Sequence, residues 1–133
     1  MAEVDKLTEK IIGCAMKVHR ALGAGFLESV YHRSMAIELT HCGLFFESEK
    51  KLNVLYNGHV VGNFIADFHF ESGLIVELKA IESLVKAHEI QVVNYLAATG
   101  IDNGLLLNFG SESLQIKRKF LHYKPSPLPV NPS

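Results

Sequence analysis

The feature that most constrains the fold is the apolar stretch at residues 74–80, which carries the two charged residues Glu77 and Lys79. In a β-strand the side chains alternate between two faces, so these two charges point the same way and their apolar neighbours point the other. Burying charges without a partner or a metal ion is unfavourable, so this strand requires partners elsewhere in the chain. A salt bridge on an edge strand is the simplest alternative explanation.

The size and composition of the chain predict one compact domain. It has 133 residues, of which 48% are hydrophobic, and we expect a single domain over residues 1–123. All four prolines lie within residues 124–133, where we expect an extended tail. The formal net charge of −1 argues against a surface that is basic throughout, although Lys and Arg cluster at residues 50–51 and 117–119.

The cysteines and the N-terminus predict the cellular environment. Cys14 and Cys42 are the only cysteines, and neither has the spacing of a zinc ligand. We therefore expect reduced, buried thiols, and neither a disulfide framework nor a structural zinc. The N-terminus is acidic and lacks an apolar signal core, and no apolar run approaches the length of a membrane span. These features predict a cytoplasmic protein without a membrane partner.

Hydrophobic periodicity predicts the order of the helices and strands. The predicted elements are a helix over 4–22, a helix over 26–42, strands over 51–56, 59–70 and 74–80, a helix over 80–100, and strands over 104–109 and 114–120. Asn57-Gly58 indicates a tight hairpin turn, and strict alternation places Phe64, Ala66, Phe68 and Phe70 on one face of their strand. A three-stranded meander, a crossover helix and further strands predict an α/β (α+β) fold with a mixed sheet flanked by helices.

Six positions on these elements carry unusual chemistry: Glu28, Asp67, Glu77, Lys79, Gln91 and Tyr95. Two carboxylates on adjacent strands offer oxygen ligands to a hard divalent cation, for which Mg²⁺ or Mn²⁺ is the expected choice. A neighbouring lysine can orient or deprotonate a water molecule, and a metal ion polarises a phosphoryl oxygen. Phosphodiester hydrolysis requires these groups. Taken singly, the helix residues also have simpler explanations, namely a helix-dipole contact for the acid and ordinary packing for the Gln and Tyr.

The same residues resemble the motifs of a known superfamily. Asp67, followed on the next strand by Glu77-Leu78-Lys79, is similar to the D…ExK motif of the PD-(D/E)XK nuclease superfamily. Gln91-x-x-x-Tyr95 resembles the QxxxY helix motif of its exonuclease-like branch. The segment at residues 25–31, with sequence GFLESVY, is similar to the signature of the GxxExxY family within that superfamily. The resemblance covers about residues 5–120 and departs from the pattern at Ala66, where the superfamily name has proline.

This resemblance implies a restriction-endonuclease-like core and a role for each residue. Asp67 and Glu77 are implied to be metal ligands, together with the Leu78 carbonyl and the helix acid Glu28, and Lys79 is implied to position the attacking water. Gln91 is implied to contact the lysine or a substrate phosphate, and Tyr95 the substrate or the same network. His69 lies on the Asp67 face and His88 on the Gln91–Tyr95 face, so either is a candidate to border the site, and packing or solvent-exposed positions are the favoured explanation for both.

The resemblance predicts a Mg²⁺- or Mn²⁺-dependent nuclease acting on DNA, with RNA as the second choice. A non-catalytic nucleic-acid-binding or assembly module is the alternative from another functional class, because the chain is small and has a near-neutral charge. A junction-resolving, structure-specific endonuclease is the second alternative, although the QxxxY helix favours exonuclease-like relatives. A homodimer is expected by resemblance, since several small members of the superfamily act as dimers.

Overall fold

The computed structural model describes residues 2–121, so the tail expected over 124–133 lies outside the described residues. In chain order the elements are α1 (Ala2–Leu22), α2 (Glu28–His41), β1 (Glu47–Tyr56), β2 (His59–Phe70), β3 (Leu74–Lys79), α3 (Lys86–Thr99), β4 (Asn103–Asn108) and β5 (Gln115–Phe120). This order confirms the predicted helical hairpin, meander, crossover helix and final strands. None of the described helices is both long and apolar enough to cross a lipid bilayer.

The five strands form one mixed sheet in which β3 is the central strand. The strand order is β1-β2-β3-β4-β5, with β3 parallel to β4 and the other neighbouring pairs antiparallel. The crossover through α3 produces the parallel pair, as predicted. Because β3 has a hydrogen-bonded neighbour on each side, the edge-strand explanation for its charged residues is wrong.

The turn between β1 and β2 has the predicted hairpin chemistry. Asn57 and Gly58 have φ angles of 50° and 79°, so both central residues are in the left-handed region. A two-residue turn of this kind matches the right-handed twist of the flanking strands. The long hairpin that results pairs β1 with β2, and the turn at residues 71–73 then brings β2, with Asp67, beside the central strand.

The helices cover the two faces of the sheet. Residues of α1 and α2 pack with Phe68, Phe70, Leu74, Val76, Leu78, Leu105 and Leu107 in the larger core cluster. Leu96 of α3 packs with Ala66 and Ile75 in a smaller cluster on the opposite face. The buried positions of α1 follow the predicted spacing, since Ile11 and Ala15 are fully buried. Alternate residues of β3 therefore face different helices.

The expectation that β2 keeps one apolar face throughout is wrong. The ring of Phe64 stacks on Tyr95 of α3, with 3.7 Å between the centroids, whereas the ring of Phe68 stacks on His32 of α2 at 4.5 Å. Ala66 packs on the α3 side with Phe64. Residues at even positions therefore change faces between 66 and 68, so the pleat of the strand is interrupted there.

The helix predicted from Ala80 begins only at Lys86, because a side chain from β4 holds the preceding segment. The amide of Asn108, which is fully buried, accepts a hydrogen bond from the Ile81 N–H and donates one to the Ile81 carbonyl, both at 3.0 Å. The backbone of Ile81 also lies against Gly110, where a Cβ atom would come within 2.2 Å of the Ile81 carbonyl oxygen. These contacts fix the chain in an irregular conformation after β3.

The apolar flank expected for α3 also needs correction. In α3 the buried residues are Val92 and Leu96, whereas Ile90, Val93 and Ala97, which were expected to form the apolar flank, are exposed.

The cysteines were expected to be buried, but only Cys14 is, and Cys42 is exposed. Their sulfur atoms lie 3.4 Å apart at the contact between α1 and the end of α2. Burial and the hydrogen bond with Cys42 raise the pKa of the Cys14 thiol to about 12. This proximity of the thiols was not predicted.

Candidate active site

The predicted acids meet at the point where β2 and β3 stop pairing. Their ladder runs from Phe70↔Leu74 to Phe68↔Val76 and continues no further. The Asp67 N–H then donates to Glu77 Oε2 at 2.9 Å, and the Leu78 N–H donates to Asp67 Oδ2 at 2.7 Å. Each carboxylate thus accepts a hydrogen bond from the backbone of the opposite strand. We call these two reciprocal hydrogen bonds the carboxylate clasp.

Burial raises the pKa of both carboxylates, and neighbouring acids add to the effect. Burial, followed by the charge of Asp67, raises the pKa of Glu77 to about 8. Burial also raises the pKa of Asp67, and its hydrogen bond from the Leu78 N–H opposes this shift. The charge of Lys79 favours the ionised form of both acids. The pair is therefore a place where a positive charge would be stabilised.

Lys79 ends β3 beside these acids and is held there by the neighbouring strand. It pairs in parallel register with Asn108, and its carbonyl accepts a hydrogen bond of 2.8 Å from the Phe109 N–H. The contacts of Asn108 and Gly110 with Ile81 fix the backbone two residues further on. The base of the lysine side chain is thus anchored on both sides.

Glu28 reaches the same group of charges from the first turn of α2. Partial burial, followed by the charge of Asp67, raises the pKa of Glu28, whereas Lys79 and His32 favour its ionised form. The side chain remains largely exposed to solvent. The structure therefore brings together the helix acid and the D…ExK residues that the sequence indicated.

Gln91 and Tyr95 approach the site from the opposite face, on α3. Burial, followed by the charge of Glu77, raises the pKa of Tyr95, and the Gln91 side chain opposes this shift. The ring of Tyr95 is held flat against Phe64, with an angle of 6° between the rings. Gln91 is exposed to solvent. The two residues are thus neighbours on one helix face, with Tyr95 close to Glu77.

A cavity that sequence reasoning did not identify lies on the α2 side of Asp67. Its volume is about 380 Å³, and it is lined by Glu28, Ser29, His32, Arg33, Glu49, Ile65 and Asp67. His32 Nε2 lies 3.3 Å from the Asp67 carbonyl oxygen, so it donates this hydrogen bond in the tautomer that carries its proton there. The spacing of four residues from Glu28 to His32 on one helix is a signal that could have identified this histidine.

The two histidines that the sequence placed near the site have other contacts. His69 Nδ1 lies 2.7 Å from Glu47 Oε1 on β1. His88 Nδ1 accepts a hydrogen bond of 2.9 Å from the Val85 N–H at the start of α3. These contacts give both histidines structural roles, a polar contact with β1 for His69 and a capping contact at the start of α3 for His88.

The donor groups suit a cation that retains part of its water shell. Over residues 2–121, no three His, Cys, Asp or Glu side chains are arranged so that they could hold a metal ion together. Mg²⁺, however, commonly binds through one or two carboxylates while keeping several waters. In the carboxylate clasp, Asp67 and Glu77 each use one oxygen for a backbone hydrogen bond, which leaves the second oxygen of each for a cation. The chemistry of this pair therefore fits a hard divalent ion.

Comparisons with known proteins identify the fold and the family of the chain. The crystal structure of SSO0001 is similar in fold, with a TM-score of 0.57 at 16% sequence identity, over 73% of this chain. The matched region spans about half of that protein, namely 52% of its chain. A search of curated proteins found no significant match. A family model described as the PD-(D/E)XK nuclease superfamily matches residues 5–119, which include every candidate site residue. The chain therefore belongs to the PD-(D/E)XK nuclease superfamily.

Proposed function

We propose that this protein is a Mg²⁺- or Mn²⁺-dependent nuclease of the GxxExxY family and that its substrate is DNA. The carboxylate clasp beside Lys79 is the observation that carries the proposal. It concentrates two acids of raised pKa and one lysine at the positions of the superfamily motif. A salt bridge alone would explain one acid and one base, whereas two acids facing each other are compensated either by a proton on Glu77 or by a further positive charge such as a bound cation.

The GFLESVY segment supports the family assignment because its residues have distinct structural tasks. Gly25 has a φ of 111°, which is accessible to glycine but rarely to other residues. The buried Tyr31 donates a hydrogen bond of 2.6 Å to the Gly23 carbonyl and accepts one of 3.2 Å from the Phe26 N–H. The glycine and the tyrosine thus shape the turn before α2, and Glu28 then begins the helix at the site.

Asp67 and Glu77 are the proposed metal ligands, with the Leu78 carbonyl as a further oxygen donor. Because no three acids within residues 2–121 are arranged to hold an ion together, Glu28 is proposed to reach the cation through a bound water molecule. When bound, the cation polarises a phosphoryl oxygen and neutralises charge that builds up during phosphodiester cleavage. Lys79 is proposed to orient the attacking water and to hold it near the phosphate.

Two residues of α3 complete the proposed site. Gln91 is exposed and therefore accessible to a substrate phosphate or to the lysine. The hydroxyl of Tyr95 is proposed to contact the substrate or the same network, because the stacked ring fixes its direction. Together these residues approach a phosphodiester from the side opposite α2.

A cleavage assay tests the proposal directly. Supercoiled, linear, single-stranded and branched DNA are incubated with Mg²⁺ or Mn²⁺ and with wild type, Glu77→Gln or Lys79→Met. We expect wild type to cut at least one substrate and both variants to lose about 10²-fold or more in rate. The matched controls Glu9→Gln and Lys10→Met change exposed residues of α1 and should cut like wild type. Equal cleavage by wild type and the site variants would identify a contaminant and refute the proposal.

The same assay distinguishes the alternatives. Preferential cutting of branched DNA would support a junction-resolving endonuclease, and progressive shortening of linear ends would support an exonuclease. Binding of DNA without cleavage under all metal conditions would favour the non-catalytic module. That alternative is supported by the absence, within residues 2–121, of three acidic, His or Cys side chains arranged to hold a metal ion.

A further inference from the structure

Glu49 has an unusual backbone conformation directly opposite the candidate site. It lies within β1, yet its φ angle is 53°, in the left-handed region that residues other than Gly, Asn and Asp seldom adopt. Such outliers persist only where the surrounding structure imposes them, and they are concentrated at functional sites. An exposed glutamate in an ordinary paired strand has no reason to adopt this conformation.

The position of Glu49 in the sheet links it to Asp67. The residues before and after it pair across the hairpin as Ser48↔Phe68 and Lys50↔Ala66. Asp67 is the residue between Ala66 and Phe68, so Glu49 faces it across the β1–β2 ladder. The register is the same on both sides of Glu49, so no residue is inserted here, and its left-handed φ is a local change in the direction of the backbone that can redirect a side chain.

The interruption of the β2 pleat occurs at the same place. Ala66 packs on the α3 side of the sheet, where Ile75 also packs. Because Glu77 lies two residues after Ile75 in β3, it shares that side. An unbroken pleat from Ala66 would send Asp67 to the opposite face from Glu77. The interruption between 66 and 68 thus coincides with the carboxylate clasp, in which Asp67 reaches the Leu78 N–H of β3 while it also lines the cavity on the α2 side.

We propose that Glu49 is a positioning residue whose left-handed backbone, rather than its carboxylate, rotates β2 and directs Asp67 towards Glu77 and Leu78. The inference rests on the proposed function only for its consequence in metal binding. The competing explanation is a direct ligand role, because the Glu49 side chain lines the same cavity as Glu28 and Asp67. Substitutions that separate backbone conformation from charge distinguish the two.

Three substitutions at Glu49 provide this separation. All three, Glu49→Gly, Glu49→Asn and Glu49→Val, remove the carboxylate but differ in the backbone they allow. Glycine adopts a positive φ freely and asparagine tolerates it, whereas the β-branched valine does not. The control Lys51→Val introduces the same β-branched residue at an exposed β1 position whose φ is not positive. Amide hydrogen exchange of the Asp67 and Leu78 N–H groups, measured without metal, reports on the clasp. Calorimetric titration with Mn²⁺ reports on the site.

The proposal predicts a pattern that a ligand role does not. Glu49→Gly and Glu49→Asn should keep both amides protected and bind Mn²⁺ within about threefold of wild type. Glu49→Val should exchange both amides about tenfold faster or more, while the Phe68 and Val76 amides stay protected. Its Mn²⁺ affinity should fall about tenfold or more. Loss of Mn²⁺ affinity in the Gly and Asn variants with both amides still protected would overturn the proposal in favour of a ligand role.

The remaining outcomes are also decisive. If wild type binds no Mn²⁺, the proposed function fails. Hydrogen exchange still tests the role of Glu49, because it is measured without metal. Unchanged protection of the Asp67 and Leu78 amides in Glu49→Val would refute that role. If Glu49→Val does not fold, the melting temperatures of Glu49→Gly and Glu49→Ala are compared instead, with Lys51→Gly and Lys51→Ala as controls. Glu49→Gly should melt at a higher temperature than Glu49→Ala, whereas Lys51→Gly should melt at a lower temperature than Lys51→Ala. The same order at both positions would contradict a left-handed requirement.

Discussion

Replacing Glu77 with glutamine should make the metal-free protein more stable at alkaline pH. Burial and the charge of Asp67 raise the pKa of Glu77 from 4.5 to about 8, so the folded chain holds this proton more tightly than the unfolded chain. The stability contributed by the protonated acid is fully present below pH 4.5 and is lost as the pH rises through about 8. Glutamine cannot ionise, yet its carbonyl can still accept the Asp67 N–H.

The size of the effect follows from the two pKa values. The difference between 4.5 and about 8 corresponds to about 5 kcal/mol once the acid is ionised in both states. Relaxation and water entry reduce such penalties in real proteins, so we expect Glu77→Gln to exceed wild type by roughly 3–5 kcal/mol at pH 9. Near pH 4.5 the two proteins should differ by less than about 1 kcal/mol, because the wild-type acid is then largely protonated.

Urea unfolding followed by circular dichroism, at pH 5, 7 and 9 with a chelator present, measures this difference. Saturating Mg²⁺ should stabilise wild type at pH 9 and should stabilise Glu77→Gln much less, because the variant lacks one proposed ligand. The exposed substitution Glu9→Gln serves as the control and should show no such pH dependence. A Glu77→Gln advantage that is equal at pH 5 and pH 9 would refute the reasoning, since it would not arise from ionisation.

The remaining predictions concern glycine packing and the thiol pair. Gly110→Ala should destabilise the protein by about 2 kcal/mol or more, and by more than Gly104→Ala, when both are compared by urea unfolding. The added Cβ meets the Ile81 backbone at position 110, whereas at position 104 it meets the Val92 side chain; the reverse order would contradict this account. Treatment with oxidised dithiothreitol should join Cys14 to Cys42 within one chain, seen as the loss of two hydrogens by mass spectrometry. Exclusively intermolecular disulfides would contradict the close approach of the two sulfur atoms within one chain.

Much of the fold could be predicted because it depends on local patterns. The helical spacing in α1 and the Asn57-Gly58 turn act over a few residues, and both have the expected structure. The D…ExK spacing also predicted the meeting of Asp67 with Glu77, since a short turn between two strands brings residues on either side of it together.

The errors arose where distant residues determine the local backbone. The segment after β3 contains no Gly or Pro to stop a helix, and it is the Asn108 amide, 27 positions further along the chain, that takes the hydrogen bonds of Ile81. The change of face in β2 was missed because alternation assumes an unbroken pleat. Glu49, which interrupts it, is not a residue type that indicates positive φ.

The carboxylate clasp has a consequence for how this sequence evolves. Asp67 and Glu77 close the end of the β2–β3 pairing as well as forming the proposed metal site, so losing either acid exposes a backbone N–H that was satisfied. Selection for a stable sheet alone would therefore retain a side-chain oxygen that accepts these hydrogen bonds at both positions, on Asn or Gln as well as on an acid, after any loss of catalysis. In a chain built this way, Lys79 is the better indicator of an active enzyme, because no hydrogen bond of the clasp depends on its side chain.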